Sequence, residues 1–205
     1  GVQPANLIAF TFTEKAASEL KERIHTVVRK ELGDVVGLAE MYVGTMHGYC
    51  LNLLQTFVPE TFKYGVLTDV TQQLLIDRES NRSGLTTCTK TVGGVTSTLS
   101  RWKDTRYYKS ALSVLQEDRV AFAEVPEAVK ASLISYRDLL TQKKYFDYTS
   151  MMADAVSFLE RAETGLDLDT AELTLRNHVK DTVKYVIVDE YQDVNPIQER
   201  LVERL

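Results

Sequence analysis

Cysteine is scarce in this chain, with Cys50 and Cys88 the only two in 205 residues. They are far apart and outside any Cys-x-x-Cys spacing, so neither a disulfide framework nor a zinc site is indicated. The three histidines are scattered, which leaves no His/Cys metal cluster in the sequence. Long apolar runs are missing as well. None approaches the ~20 residues needed to span a bilayer, and the N-terminus lacks the basic-then-apolar pattern of a signal peptide, so a cytoplasmic chain with no membrane partner is expected. Positive charge is not in excess: 24 Lys and Arg against 29 Asp and Glu give a formal charge of −5. That balance argues mildly against a general nucleic-acid binder and leaves room for a local basic track. What remains is a globular composition, 44% hydrophobic and 26% charged, of a length that makes one large domain or two small ones.

The most informative stretch is Tyr185-Val186-Ile187-Val188-Asp189-Glu190-Tyr191-Gln192-Asp193-Val194-Asn195-Pro196-Ile197-Gln198. Its apolar β-branched start is too short for a helix and ends in two adjacent carboxylates, which reads as a buried strand delivering acids to the edge of a parallel sheet. Ligands of open α/β sheets bind at that edge. Asn195 suits an N-cap, Pro196 the first helical position and Gln198 the third, so a helix is expected to start there. The plain alternative is that Asp189 and Glu190 open a solvated turn.

A second strand-helix unit lies near the N-terminus. Leu7 to Phe12 is a short apolar run, Thr13 is placed to cap the helix that follows, and Glu14 suits its positive end. Ala16, Ala17, Leu20, Ile24, Val27 and Val28 recur at helical spacing; Arg29 and Lys30 suit the far end, and Gly33 stops it. Met41 to Thr45 reads as another strand, followed by a helix carrying Leu51, Leu53, Leu54 and Phe57 that closes before Pro59.

Taken together these stretches resemble a known family. Asp189-Glu190-Tyr191-Gln192-Asp193 after an apolar strand resembles motif II, the Walker B element Asp-Glu-x-Gln-Asp of superfamily 1 helicases of the UvrD/Rep type. Leu7 to Ile24 is similar to motif Ia of the same family. Gly44-Thr45-Met46-His47-Gly48 resembles its Gly-Thr-Phe-His-Ser motif, with Met46 in place of the usual Phe and Gly48 in place of the usual Ser. The resemblance implies an α/β fold, a partial RecA-like P-loop NTPase parallel sheet with a mainly helical insertion. It implies ATP and Mg²⁺ as cofactors of the parent enzyme: Asp189 would hold Mg²⁺, usually through water, Gln192 would bind the nucleotide, and Glu190 would act as catalytic base toward the water attacking the γ-phosphate. A hard cation wants carboxylate oxygens, and in-line attack needs a positioned proton acceptor.

By the same resemblance Thr11, Phe12, Thr13, Lys15, Thr45 and His47 would touch single-stranded DNA. An aromatic at a strand end offers a stacking platform, worth ~1–3 kcal/mol per base, and helix-start amides accept phosphate. Residues 1–58 and 178–205 would form the partial RecA-like domain and residues 59–177 the helical insertion, which in the family approaches the duplex junction. Within that insertion Val66 to Asp69 leads into a segment ending at Arg82, and Ser83 to Ser100, with Gly93-Gly94, reads as a loop or weak hairpin. Pro126 is placed to open a helix through Lys143 bearing Val129, Leu133, Ile134 and Leu140. Met151, Met152, Ala155, Phe158 and Leu159 form a core stripe on the next helix. Phe146 to Met152 resembles the family's Asp-Phe-x-Asp-Leu-Leu signature, with Asp147 and Tyr148 matching and Ser150 where a second acid is common. Arg101 to Lys109 interleaves four cations with three aromatics. Either it pairs phosphates and stacks bases, or its aromatics face the core and its cations are solvated.

No Gly-x-x-x-x-Gly-Lys-Ser/Thr loop is found, and nothing resembles the family's later motifs, including the arginine finger, worth ~10³–10⁵ in rate. The expectation is therefore a piece of an ATP-dependent DNA helicase or translocase, moving 3′ to 5′ in repair or recombination, that works with the remaining helicase domains and is nearly inert toward ATP alone. Apolar surface left where the Walker A strand would pack predicts self-association of the piece or a partly rearranged sheet. Two other readings share these residues: a non-catalytic DNA- or protein-binding module derived from a helicase, and a metal-dependent nuclease centre on Asp189, Glu190 and Asp193.

Overall fold

The computed structural model describes residues 1–165 and 167–205. β1 (Leu7–Thr11) opens the regular structure with Ile8, Ala9 and Phe10 all buried. α1 (Glu14–Leu32) follows at once because Thr13 holds an extended backbone and its side chain accepts the Ala16 amide at 3.1 Å. Gly33 ends the helix at φ 77°, a conformation that costs glycine little. β2 (Tyr42–Thr45) and α2 (Met46–Phe57) repeat the design, with the Thr45 hydroxyl accepting the Gly48 amide at 3.1 Å. β3 (Gly65–Val66) and α3 (Asp69–Arg78) come next, then β4 (Thr89–Val92), β5 (Val95–Thr98) and α4 (Thr105–Glu117). α5 (Glu127–Lys143), β6 (Tyr145–Phe146), α6 (Tyr148–Thr164) and α7 (Thr170–Thr182) lead to β7 (Tyr185–Val188) and α8 (Pro196–Glu203).

The chain divides into two compact units. The first comprises Gly1–Glu60 and Asp154–Leu205, the second Thr61–Ala153. In the first, β2, β1 and β7 form a parallel sheet in that order, with Thr11 opposite Thr45 and Phe10 opposite both Gly44 and Val188. This is the α/β parallel sheet with flanking helices that the motifs imply. Apolar residues of α2, α6 and α8, among them Cys50, Leu53, Leu54, Leu159 and Leu201, are buried with the centre of β1. Asn195 and Gln198 cap α8 reciprocally at 3.0 and 3.1 Å.

β7 corrects one expectation. It was expected to be buried, yet Tyr185 and Ile187 are 54% and 59% exposed. Among the described residues it pairs only with β1, so it is an edge strand with one face open. Hydrophobic composition reports the tendency to be covered, and only neighbouring elements do the covering.

The second unit is built around Leu67, Ile76, Leu85, Leu99, Tyr108, Leu112, Leu133, Tyr136 and Leu140. Its Gly93-Gly94 turn, with φ of 58° and 80°, closes an antiparallel β4-β5 hairpin, so the Ser83–Ser100 segment is a hairpin preceded by a buried turn at Leu85. α5 buries Leu133, Tyr136, Leu139 and Leu140 and leaves Ile134 51% exposed. Ile134 thus lies off the apolar stripe on which it was expected, and Tyr136 takes the inward position. Asp147, 2% exposed, accepts hydrogen bonds from the Tyr136 hydroxyl, from Gln72 Nε2 at 2.9 Å and from the Ser150 amide at 2.6 Å. Ser150 Oγ accepts the Asp147 amide in return at 3.2 Å. The serine standing where an acid is common therefore completes a helix-start cap, and the matched Asp147 is an anchor of the core.

Candidate functional site

The parallel register brings the C-terminal ends of β2, β1 and β7 to one edge, and the three sequence motifs meet there. A crevice with room for about 30 Å³ is lined by Thr11, Phe12, Thr45, His47, Asp189 and Gln198. The space suits roughly one water molecule. Residues separated by more than 170 positions are joined in it because parallel strands place their exits side by side.

Each wall has a local cause. Thr11 Oγ1 donates to the Thr13 carbonyl at 3.1 Å, which turns the chain from β1 into α1. Phe12, between them, is 42% exposed. Thr13 spends its side chain on the α1 cap, and Lys15 is exposed on the first turn, 3.8 Å from Glu19. Neither lines the crevice. Thr45 is 9% exposed and its hydroxyl is used twice, accepting the Gly48 amide and donating to Glu14 Oε1 at 2.8 Å. His47 is half-buried, and burial holds its imidazole pKa below the ordinary value.

The acid pair leaves the sheet in two directions. The Asp189 amide donates to the Phe10 carbonyl at 3.0 Å, continuing the β1-β7 ladder by one residue, so Asp189 is fixed at the crevice. Its Oδ1 accepts the Glu190 amide at 3.0 Å. Glu190 takes a left-handed backbone, φ 50°, and its carboxylate accepts from Gln192 Nε2. Glu190 and Gln192 are exposed beyond the crevice lining. Non-glycine residues at positive φ are uncommon, and here the strained turn carries a carboxylate at the sheet edge. Among the described residues no group of three or more His, Cys, Asp or Glu is placed to hold a metal. Asp189, Glu190 and Asp193 are thus not gathered into the acid cluster that a nuclease centre would need.

Sequence reasoning missed three participants. Gln198 was read for its cap, and it also lines the crevice. Glu14 was read as a helix-end charge, and it also binds Thr45. Tyr42, unremarked in the sequence, donates its hydroxyl to the Thr45 carbonyl at 2.9 Å and packs edge-on against Phe10 and Tyr49. The glycines at positions 44 and 48 were a usable signal, since both make room for that ring.

In the second unit, the cation and aromatic stretch divides its residues. Tyr108 is buried with its hydroxyl on the Ser83 carbonyl at 2.6 Å, and Lys109 is largely buried and paired with Asp69. Trp102 and Tyr107 are 69% and 66% exposed, and the Arg101 guanidinium lies 5.8 Å from the Trp102 ring centre. The buried Asp77 holds this turn by accepting the Trp102 amide at 2.7 Å. Two of the three aromatics therefore face away from the core and the third belongs to it, while Arg101, Lys103 and Arg106 are exposed and Lys109 is buried, so the stretch divides between the two readings.

Comparison with known proteins accounts for the whole chain. The family model described as the UvrD/REP helicase N-terminal domain matches residues 1–205. The ATP-dependent DNA helicase PcrA of Staphylococcus aureus is 26% identical over 218 residues, covering 100% of this chain and 26% of that protein. The ATP-dependent DNA helicase SRS2 of Saccharomyces cerevisiae is 26% identical over 96% of the chain and 17% of its own length. A probable DNA helicase of Mycoplasma pneumoniae is 26% identical over 100% of the chain and 36% of its length. The chain thus spans about a quarter of the length of the PcrA proteins it matches. With its whole length matched and its motifs assembled at one sheet edge, this chain belongs to the UvrD/REP helicase N-terminal domain family of superfamily 1 DNA helicases.

Proposed function

We propose that the chain is the part of an ATP-dependent DNA helicase or translocase that holds single-stranded DNA and supplies the Walker B acids, in an enzyme moving 3′ to 5′ in repair or recombination. The observation that carries this reading is the crevice, which joins the proposed DNA residues Thr11, Phe12, Thr45 and His47 to the proposed metal residue Asp189. Thr13 and Lys15 extend the DNA track along the α1 start. Residues 1–58 and 178–205 act as the partial RecA-like domain and 59–177 as the insertion; division of the chain near Glu60 and Ala153 supports an inserted unit. Arg101, Trp102, Arg106 and Tyr107 are its duplex-junction contacts.

The donor set fits hydrated Mg²⁺, since Asp189 offers hard carboxylate oxygens at an open edge. Mg²⁺ bound there would neutralise charge on the ATP phosphates. Glu190 accepts the proton of the attacking water, and Gln192 orients the Glu190 carboxylate through its amide. No Gly-x-x-x-x-Gly-Lys-Ser/Thr sequence is present to cradle the phosphates, so ATP turnover belongs to the parent enzyme with its remaining helicase domains, and the chain by itself is nearly inert. The exposed Tyr185 and Ile187 on β7 support self-association of the isolated chain.

The test is fluorescence anisotropy of a short single-stranded DNA with this chain at low and moderate salt. Salt-sensitive binding that falls in Phe12→Ala is the expected result, by about fivefold or more if one stacked base is lost. No binding by the unmutated chain would remove this reading. A second reading, a non-catalytic DNA- or protein-binding module derived from a helicase, shares all of these residues. The coding sequence upstream of Gly1 separates the two, since a Walker A loop there belongs to a motor only.

A further inference from the structure

We infer that Glu14 and Tyr42 are positioning residues that clamp the first turn of α2 from both sides of Thr45 and so fix His47 at the crevice. The inference rests on the reading of the crevice as a nucleic-acid site. Thr45 Oγ1 donates to Glu14 Oε1 at 2.8 Å and accepts the Gly48 amide at 3.1 Å, while its carbonyl accepts the Tyr42 hydroxyl at 2.9 Å. Its hydroxyl and its carbonyl are therefore both engaged within the protein, so Thr45, 9% exposed, lines the crevice as a residue already held in place. Its influence passes through the two residues that follow it, Met46 and His47, both of which line the crevice.

The clamp is built into the surrounding structure. The Tyr42 ring is gripped edge-on by Phe10, centroids 6.0 Å apart, and by Tyr49 at 4.9 Å. Burial and the Glu14 carboxylate push the Tyr42 phenol pKa well upward, so it stays protonated and remains a donor. Neighbouring glycines admit the hydroxyl. A β-carbon on Gly44 would lie 2.7 Å from Tyr42 Oη, and one on Gly48 would lie 3.1 Å from it and 3.2 Å from Thr45 Oγ1. Gly48 leaves the Tyr42 hydroxyl room that a β-carbon would crowd. Glu14 reaches Thr45 from the first position of α1, so the clamp ties the two helix starts that flank the crevice.

The experiment uses the 205-residue chain with Glu14→Ala, Glu14→Gln, Tyr42→Phe, Thr45→Val and Thr45→Ser. Two readouts are needed: amide hydrogen exchange at Gly48 with the His47 ring resonances by NMR, and anisotropy of a labelled oligothymidylate. Glu14→Ala, Tyr42→Phe and Thr45→Val should speed Gly48 exchange, shift the His47 resonances and weaken DNA binding by about three- to tenfold, the equivalent of one net hydrogen bond. Glu14→Gln and Thr45→Ser keep the bonding atoms and should restore both readouts, with the charge-neutral Gln variant binding DNA at least as tightly as the unmutated chain. Unchanged exchange and unchanged His47 resonances in Glu14→Ala would overturn the inference. So would equal losses in Glu14→Ala and Glu14→Gln. If the unmutated chain fails to bind DNA, the proposed function falls, and the NMR readouts alone decide the clamp.

Discussion

At His47, burial opposes protonation, and the consequence for stability has a definite sign. A histidine whose folded pKa is below its unfolded value of 6.5 contributes stability that is complete above that value and is lost as pH falls from there through the lower folded pKa. Denaturant midpoints measured between about pH 7 and pH 5 should therefore fall more steeply for the unmutated chain than for His47→Gln. Parallel slopes would mean that the imidazole is as well solvated folded as unfolded. Gly48 offers a second test at this scale. Alanine within a helix is favoured over glycine by about 0.5–1 kcal/mol, but here its β-carbon meets the Tyr42 hydroxyl. Thermal melts should show Gly48→Ala to be more favourable in a Tyr42→Phe background than alone, by about 0.5 kcal/mol or more. Equal effects in the two backgrounds would separate Gly48 from Tyr42. Among single residues, those with a local role were legible: Thr13 and Asn195 cap helices, as a hydroxyl or amide before an apolar period suggests. Tyr42 was not, because its partner is a carbonyl three residues on whose availability depends on two glycines and two rings.

Elements were read well where a strand exit, a cap and a period agree. α1 begins after Thr13 and ends at Gly33, and α2 closes before Pro59. The cap of α1 is worth testing because it also sets the start of the proposed DNA track. Thr13→Ala should cost about 1 kcal/mol in chemical denaturation, and a cost near zero would mean that the sheet alone fixes this helix start. Facing was less legible than existence. α5 was placed within a residue of its start, yet Ile134 turned outward and Tyr136 inward, because the buried Asp147 gives that phenol a partner. Periodicity alone does not distinguish an aliphatic residue with a core to join from one without. β7 makes the same point for a strand, since its apolar composition was correct and its cover is missing among the described residues.

For the whole molecule, the open face of β7 is the feature with a measurable consequence. An edge strand presenting Tyr185 and Ile187 invites pairing with another chain. Light scattering over a concentration series should show mass rising above that of a 23.2 kDa monomer, and the double change Tyr185→Lys with Ile187→Lys should return it to the monomer. A monodisperse monomer before any substitution would mean that this edge is not sticky. The −5 charge neither helps nor hinders this reading, because the contacts proposed for DNA are few and local. By itself the sequence determined the strand-turn-helix units, their caps and the motifs at strand ends, since these depend on neighbours within a few positions along the chain. Only the tertiary structure decided that Thr11, His47 and Asp189 share a crevice of about 30 Å³, that the Thr45 hydroxyl and carbonyl are both engaged, and that β7 lies uncovered. Strand order, register and the filling of space are set by contacts between residues far apart in sequence, and no local pattern encodes them.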